Sequence, residues 1–158
     1  MIDRYSTEQM SDIWSEYNKF NLMIEVELWH LYALEHYKVI PQGTTEKVKS
    51  NVRLDLDAIK ENEKIVRHDI AAFVKTLEQQ CGDAGKYIHL RLTSSDIIDT
   101  AYSLQCLATY KTIQKSLTEL IRTIDQLVEQ HETTNMIGRT HGRWAEPMTF
   151  AHFLKGHY

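Results

Sequence analysis

The apolar positions of this chain recur at helical intervals almost from end to end. Phe20, Ile24, Leu28 and Leu31 return every three or four residues and predict an amphipathic helix with one apolar face. Further along, Cys106, Tyr110, Ile113, Leu117, Leu120, Ile124 and Leu127 follow one another at spacings of four, three, four, three, four and three. That is the heptad repeat of a helix that packs lengthwise against other helices, and the pattern reaches about Gln130.

Polar residues divide the rest of the chain into shorter helices. Ser6-Thr7-Glu8-Gln9 has the form of a capping box that opens a first helix. Pro41 and Gly43 close the second helical region. Thr44 or Thr45 can cap a third helix and Asp55 or Asp57 a fourth; Asp69 opens a fifth, which runs through Phe73 and Leu77 to a stop at Gly82. No segment shows a convincing strand alternation. Gly138 to Pro147 reads as an inter-helix loop, with Glu146-Pro147 leading into a last helical stretch from about Met148 to Tyr158. The predicted fold class is therefore all-α: a small amino-terminal helical domain over residues 1–92, then the start of a long-helix bundle over residues 93–158. A long helix needs partners along its length, and little chain follows it. The sequence is thus expected to be the first part of a longer bundle protein, its seam covered by further helices or by self-association.

Composition narrows the function classes. At 158 residues and 42% hydrophobic the chain can build one ordinary core. The net charge of −4 and the scattered Lys and Arg residues give no basic stripe for a nucleic-acid partner. The start lacks a signal-peptide core and no apolar run matches a bilayer, so a cytoplasmic protein without a membrane partner is expected. Cys81 and Cys106 form no CxxC pair and read as reduced core thiols. His30, His36, His131, His152 and His157 form no convincing metal set, and neither a phosphate loop nor a dinucleotide fingerprint occurs; no metal and no cofactor are expected. Trp14, Trp29 and the tyrosines of the second helix read as packing residues.

Three polar clusters could carry chemistry, and each has a plainer reading. Thr93-Ser94-Ser95-Asp96 is an N-cap pattern, yet a helix start with several hydroxyls also offers free N–H groups and the positive dipole end to a carboxylate or phosphate. Arg67-His68-Asp69 joins a cation, an imidazole and a capping carboxylate at a helix junction, where a surface salt bridge would account for it equally. Gly138-Arg139-Thr140-His141-Gly142 is either a turn with a solvent-facing histidine or a loop that holds a general acid, since an imidazole titrates near neutral pH.

In this order and setting the clusters resemble the fumarase and aspartase superfamily of lyases, and within it the adenylosuccinate lyase family. The resemblance spans the chain: Met1-Ile2 with Arg4-Tyr5-Ser6, then Arg67-His68-Asp69-Ile-Ala-Ala-Phe73, then His89 with Leu92-Thr-Ser-Ser-Asp96, then Gly138-Arg-Thr-His-Gly142 with Ala145-Glu-Pro147. It implies an elimination that releases fumarate from adenylosuccinate, and from the succinylated imidazole-carboxamide ribonucleotide, without a cofactor. It also implies a role for each matched residue. His141 protonates the leaving nitrogen, and His68 assists or orients the substrate phosphate. Thr93 and Ser94 hold a succinyl carboxylate, where a helix amino terminus favours the charge that builds up. Arg4 and Tyr5 contact the nucleotide, Arg67 and Asp69 frame His68, Thr140 lies beside the acid, and His89 binds substrate.

The resemblance further implies a homotetramer with shared sites and a proton-abstracting serine on a glycine-rich loop far downstream. No such segment occurs in these 158 residues, so the chain alone is expected to be inactive. Arg91 stands where glycine is usual, and Arg143-Trp144 where smaller or less polar pairs are usual, which bears on substrate fit. The other readings are a related lyase with a different substrate and a helical oligomerisation scaffold.

Overall fold

The computed structural model describes residues 3–157; Met1 and Ile2 of the amino-terminal motif and Tyr158 of the last predicted helix lie outside the described residues. Among the described residues the chain is all-α apart from one hairpin, and it divides into two compact units between Thr109 and Tyr110. No described helix is long and apolar enough to cross a membrane.

The first unit carries the core. A 3₁₀ turn at Asp3–Tyr5 leads to α1 (Glu8–Ile13) and α2 (Glu16–His36). The α1 cap is Thr7, which accepts from the Met10 N–H, one residue later than the capping box suggests; the Ser6 hydroxyl pairs with Ser11 instead. Along α2 the buried stripe is Phe20, Met23, Glu27 and Leu31, with Val26 beside it. Phe20 stacks on Phe73 with ring centroids 5.6 Å apart. Trp29, Tyr17 and Tyr32 lie off this stripe and are exposed, so the packing role expected of them belongs to neighbouring residues; Trp14 does pack, against Tyr102.

Helices α3 (Thr44–Asn51), α4 (Leu56–Val66) and α5 (Asp69–Cys81) complete this unit with the start of α6 (Ser94–Gln130). Neither Thr44 nor Thr45 caps α3. Gly43 holds that position, at φ +83°, and the missing side-chain oxygen comes from Glu35, which accepts the Thr45 N–H. That donor holds the Glu35 carboxyl below its usual pKa. Asp55 caps α4, as the sequence allows, and the α5 cap is His68 rather than Asp69. A 3₁₀ segment, Gly82–Tyr87, then folds back on α5 so closely that a Cβ on Gly85 would stand 2.6 Å from the Glu78 carbonyl oxygen. This close approach delivers buried Ile88, and with it His89, to the core surface.

The second unit is thinly packed. Of its described residues only Ala151 is buried, and Tyr110, Ile113, Leu117 and Leu120 of the heptad seam are exposed. Beyond α6 the structure departs from the sequence expectation. The predicted loop is an antiparallel hairpin of β1 (Asn135–Thr140) and β2 (Arg143–Thr149), and the last helix, α7 (Phe150–Lys155), starts later than Met148 behind the Thr149 cap. Pro147 lies in β2 opposite Ile137 rather than at a helix start. A two-stranded ribbon has a free edge on each strand, so a residue without an N–H is tolerated there. The ribbon is exposed on both faces over most of its length, which is why no apolar–polar alternation marked it.

Candidate active site

The α4–α5 junction sets up the first histidine. Arg67 ends α4 in the left-handed region, at φ +55°, and its N–H closes on the Glu63 carbonyl. His68 follows in extended backbone, and its Nδ1 accepts the Ala71 N–H at 3.3 Å. Asp69 Oδ1 stands 3.3 Å from the same nitrogen and also accepts the Ile70 N–H. Nδ1 cannot serve both neighbours: unprotonated it caps α5, protonated it faces the carboxylate and the cap is lost.

His89 is held differently. It too adopts a positive φ, +61°, and its backbone N–H donates to Glu27 Oε2 at 2.9 Å while Nδ1 lies 2.8 Å from Glu27 Oε1. Arg91, two residues on, sits at φ +65°, a left-handed position that suits a glycine far better than an arginine. At the start of α6 the Thr93 N–H and hydroxyl both donate to Asp96 Oδ2, at 2.7 and 2.9 Å. These donors, with weaker help from His89 and His30, keep the Asp96 carboxyl below its usual pKa. In this state the capping reading of the cluster is realised, and a carboxylate that used Thr93 would have to displace Asp96.

Three of the sequence-derived candidates, taken from separate stretches, come together. His68, His89 and Ser94 line one cavity of about 280 Å³, with Lys75 and Glu78 of α5 on its wall. Two imidazoles, a hydroxyl, an ammonium group and a carboxylate beside the positive end of a 37-residue helix suit a polar ligand and proton transfer to or from it. Arg4 and Tyr5 are not on this cavity; both are exposed, with the Arg4 guanidinium 4.9 Å from the Tyr5 ring centroid.

His141 and Thr140 belong to the second unit. Thr140 and Arg143 form the last pair of the ribbon, and His141 and Gly142 are the two residues of the turn, at φ +51° and +72°. Two positive φ values in a two-residue connection are the requirement of a type I′ turn. The His141 ring stands exposed at the tip, its Nδ1 2.9 Å from the Thr140 hydroxyl. A larger concavity of about 1090 Å³ along the ribbon and α7 includes neither residue.

Sequence reasoning passed over Glu27, Lys75 and Glu78. Glu27 left a signal: it is a carboxylate at the centre of an apolar stripe, four residues after Met23 and four before Leu31. Lys75 and Glu78 left none.

The family profile described as lyase matches residues 3–158. The chain belongs to that family. Among its relatives, the adenylosuccinate lyase of Synechocystis sp. is 40% identical over 156 residues, which is 99% of this chain and 36% of that protein. The adenylosuccinate lyase of Aquifex aeolicus is 40% identical over 153 residues, 95% of this chain and 35% of that protein. The solved structure of the 3-carboxy-cis,cis-muconate lactonizing enzyme from Pseudomonas putida superposes with a TM-score of 0.88 at 25% identity, over 99% of this chain and 37% of that one. This chain thus spans about a third of the length of the curated relatives it matches.

Proposed function

We propose that the chain is the amino-terminal portion of an adenylosuccinate lyase, a cytoplasmic homotetrameric enzyme of purine nucleotide synthesis that needs no cofactor. The convergence of His68, His89 and Ser94 on one cavity is the observation that carries this reading. In the elimination, a base removes the proton from the succinyl carbon next to the one that bears nitrogen. The electron pair forms the double bond of fumarate, the carbon–nitrogen bond breaks, and an acid protonates the departing nitrogen to give AMP. The succinylated imidazole-carboxamide ribonucleotide is cleaved in the same way.

On this reading His141 is the acid, with Thr140 on its Nδ1. His68 assists it or orients the phosphate, framed by Arg67 and Asp69. Ser94, with Thr93 once Asp96 releases it, binds a succinyl carboxylate. His89 binds substrate, and Arg4 and Tyr5 contact the nucleotide. Residues 1–92 form the amino-terminal domain, and residues 93–158 open the bundle. The base is a serine supplied from outside this chain.

Fumarate release from adenylosuccinate, assayed with this chain alone and after mixing with a full-length homologue that lacks its equivalent of His141, tests the reading. No turnover alone and restored turnover in the mixture is the expected result. Turnover by the chain alone would overturn its dependence on an external base. No restoration, with mixed assembly verified by mass, would overturn the shared lyase site and favour a scaffold, to which the exposed seam of α6 is suited. Affinity for AMP, and none for arginine or aspartate, separates this substrate from those of related lyases.

A further inference from the structure

Glu27 is a buried carboxylate that the elimination does not use. Only 1% of its surface is exposed, and both of its oxygens go to one residue: Oε2 to the His89 N–H at 2.9 Å, and Oε1 to His89 Nδ1 at 2.8 Å. A carboxylate buried this deeply is tolerated when its lone pairs are met by donors. One turn along the same helix, His30 Nε2 lies 2.8 Å from the Leu90 carbonyl, which can only accept, so His30 is the donor. Helix α2 therefore grips two successive residues, His89 and Leu90, the first of them in the left-handed region.

We propose that Glu27 is a positioning residue: it locks the His89 backbone and holds the neutral ring in the Nδ1–H tautomer, presenting bare Nε2 to the cavity shared with His68 and Ser94. With the His89 N–H already accepted by Oε2, Oε1 as a carboxylate oxygen is an acceptor, and on this proposal Nδ1 donates to it. Nε2 is then an acceptor, suited to a ligand hydroxyl, amide or protonated phosphate oxygen. Orienting partners of this kind fix tautomer and ring angle in the same way at metal-bound histidines, where their loss costs about 10- to 100-fold. The proposal rests on the lyase reading only for what the cavity binds.

Long-range proton–nitrogen NMR of the labelled 158-residue chain, at a pH of about 9 where imidazoles are neutral, reads the tautomer directly. The expected result is protonated Nδ1 in the native chain. In Glu27→Gln, the amide oxygen keeps the His89 N–H, its NH₂ faces Nδ1, and the ring proton moves to Nε2. The His30 ring stays in its Nε2–H form in both and reports that the segment is intact. An Nε2–H ring at His89 in the native chain overturns the proposal even if the variant fails to fold; so does an unchanged tautomer in a folded variant.

Titration with AMP separates the two readings. About tenfold weaker binding in Glu27→Gln, together with the tautomer change, supports both. A tautomer change with AMP bound by neither protein supports the positioning and removes the nucleotide reading. A tautomer change with AMP bound equally by both overturns Glu27 as a positioning residue.

Discussion

His89 in the first unit and His141 in the second both sit at positive φ, +61° and +51°, but they are supported in different ways. His89 is tied through backbone and ring to a carboxylate inside a packed core, whereas His141 meets the hydroxyl of the residue before it at the tip of an exposed ribbon. The first arrangement rests on Phe20, Met23, Phe73 and Leu77, none of which lines the cavity. The second has only the geometry of its turn. In the first unit the core holds the site; in the second, local backbone chemistry does.

The largest test of that difference lies in the packing. Phe73→Ala is expected to destabilise the first unit by about 3–5 kcal/mol. Leu117→Ala, on the exposed seam, should change its melting by less than about 0.5 kcal/mol; calorimetry of both variants checks this. A comparable loss from Leu117→Ala would mean that the seam is already covered in solution.

Next in size are two changes at left-handed positions, expected to have opposite signs. Gly142→Ala puts a side chain at φ +72° and should weaken the ribbon by about 1–2 kcal/mol, read as faster amide exchange in the β1–β2 ladder with the core melt unchanged. Arg91→Gly relieves a similar strain of about 1–2 kcal/mol. The extra freedom of glycine in the unfolded chain returns about 0.5–1 kcal/mol of that. A net gain of about 0–1.5 kcal/mol is therefore expected by denaturant unfolding.

The smallest effect is a pH dependence at the start of α6. Because Thr93 lowers the Asp96 pKa in the folded state, its cap contributes fully above the ordinary carboxylate value of about 3.9 and is lost as pH falls through the lower folded value. Amide exchange at Thr93 should accelerate only in that acid window, and Asp96→Asn should abolish the dependence.

Much of the first unit was legible because its signals are local. The Asp55 cap and the Gly82 stop follow from residues a few positions apart, as does the α2 face through Phe20 and Leu31. What could not be read there depends on contacts distant in sequence: the α3 cap supplied by Glu35, and the Glu27 grip on His89, which spans 62 positions. The hairpin was missed for a different reason. Its dipeptide His141-Gly142 is a fair turn signal, but Gly138, Glu146 and Pro147 in the flanking strands suggested a loop, and exposure removed the alternation that would have countered them. For the candidate site, the sequence supplied His68, His89 and Ser94 but not their common cavity, because that depends on how α5 folds against the 3₁₀ segment.

The two-residue turn at His141-Gly142 also limits how this stretch can vary in length. Deleting one residue there would remove the two-residue turn and shift β2 by one place against β1, turning each β2 side chain to the opposite face. The imidazole would then project from a different side of the ribbon. Point substitutions around the tip leave that register alone, so among descendants of this sequence the stretch should diverge by exchange of side chains, with deletions confined to segments away from the turn.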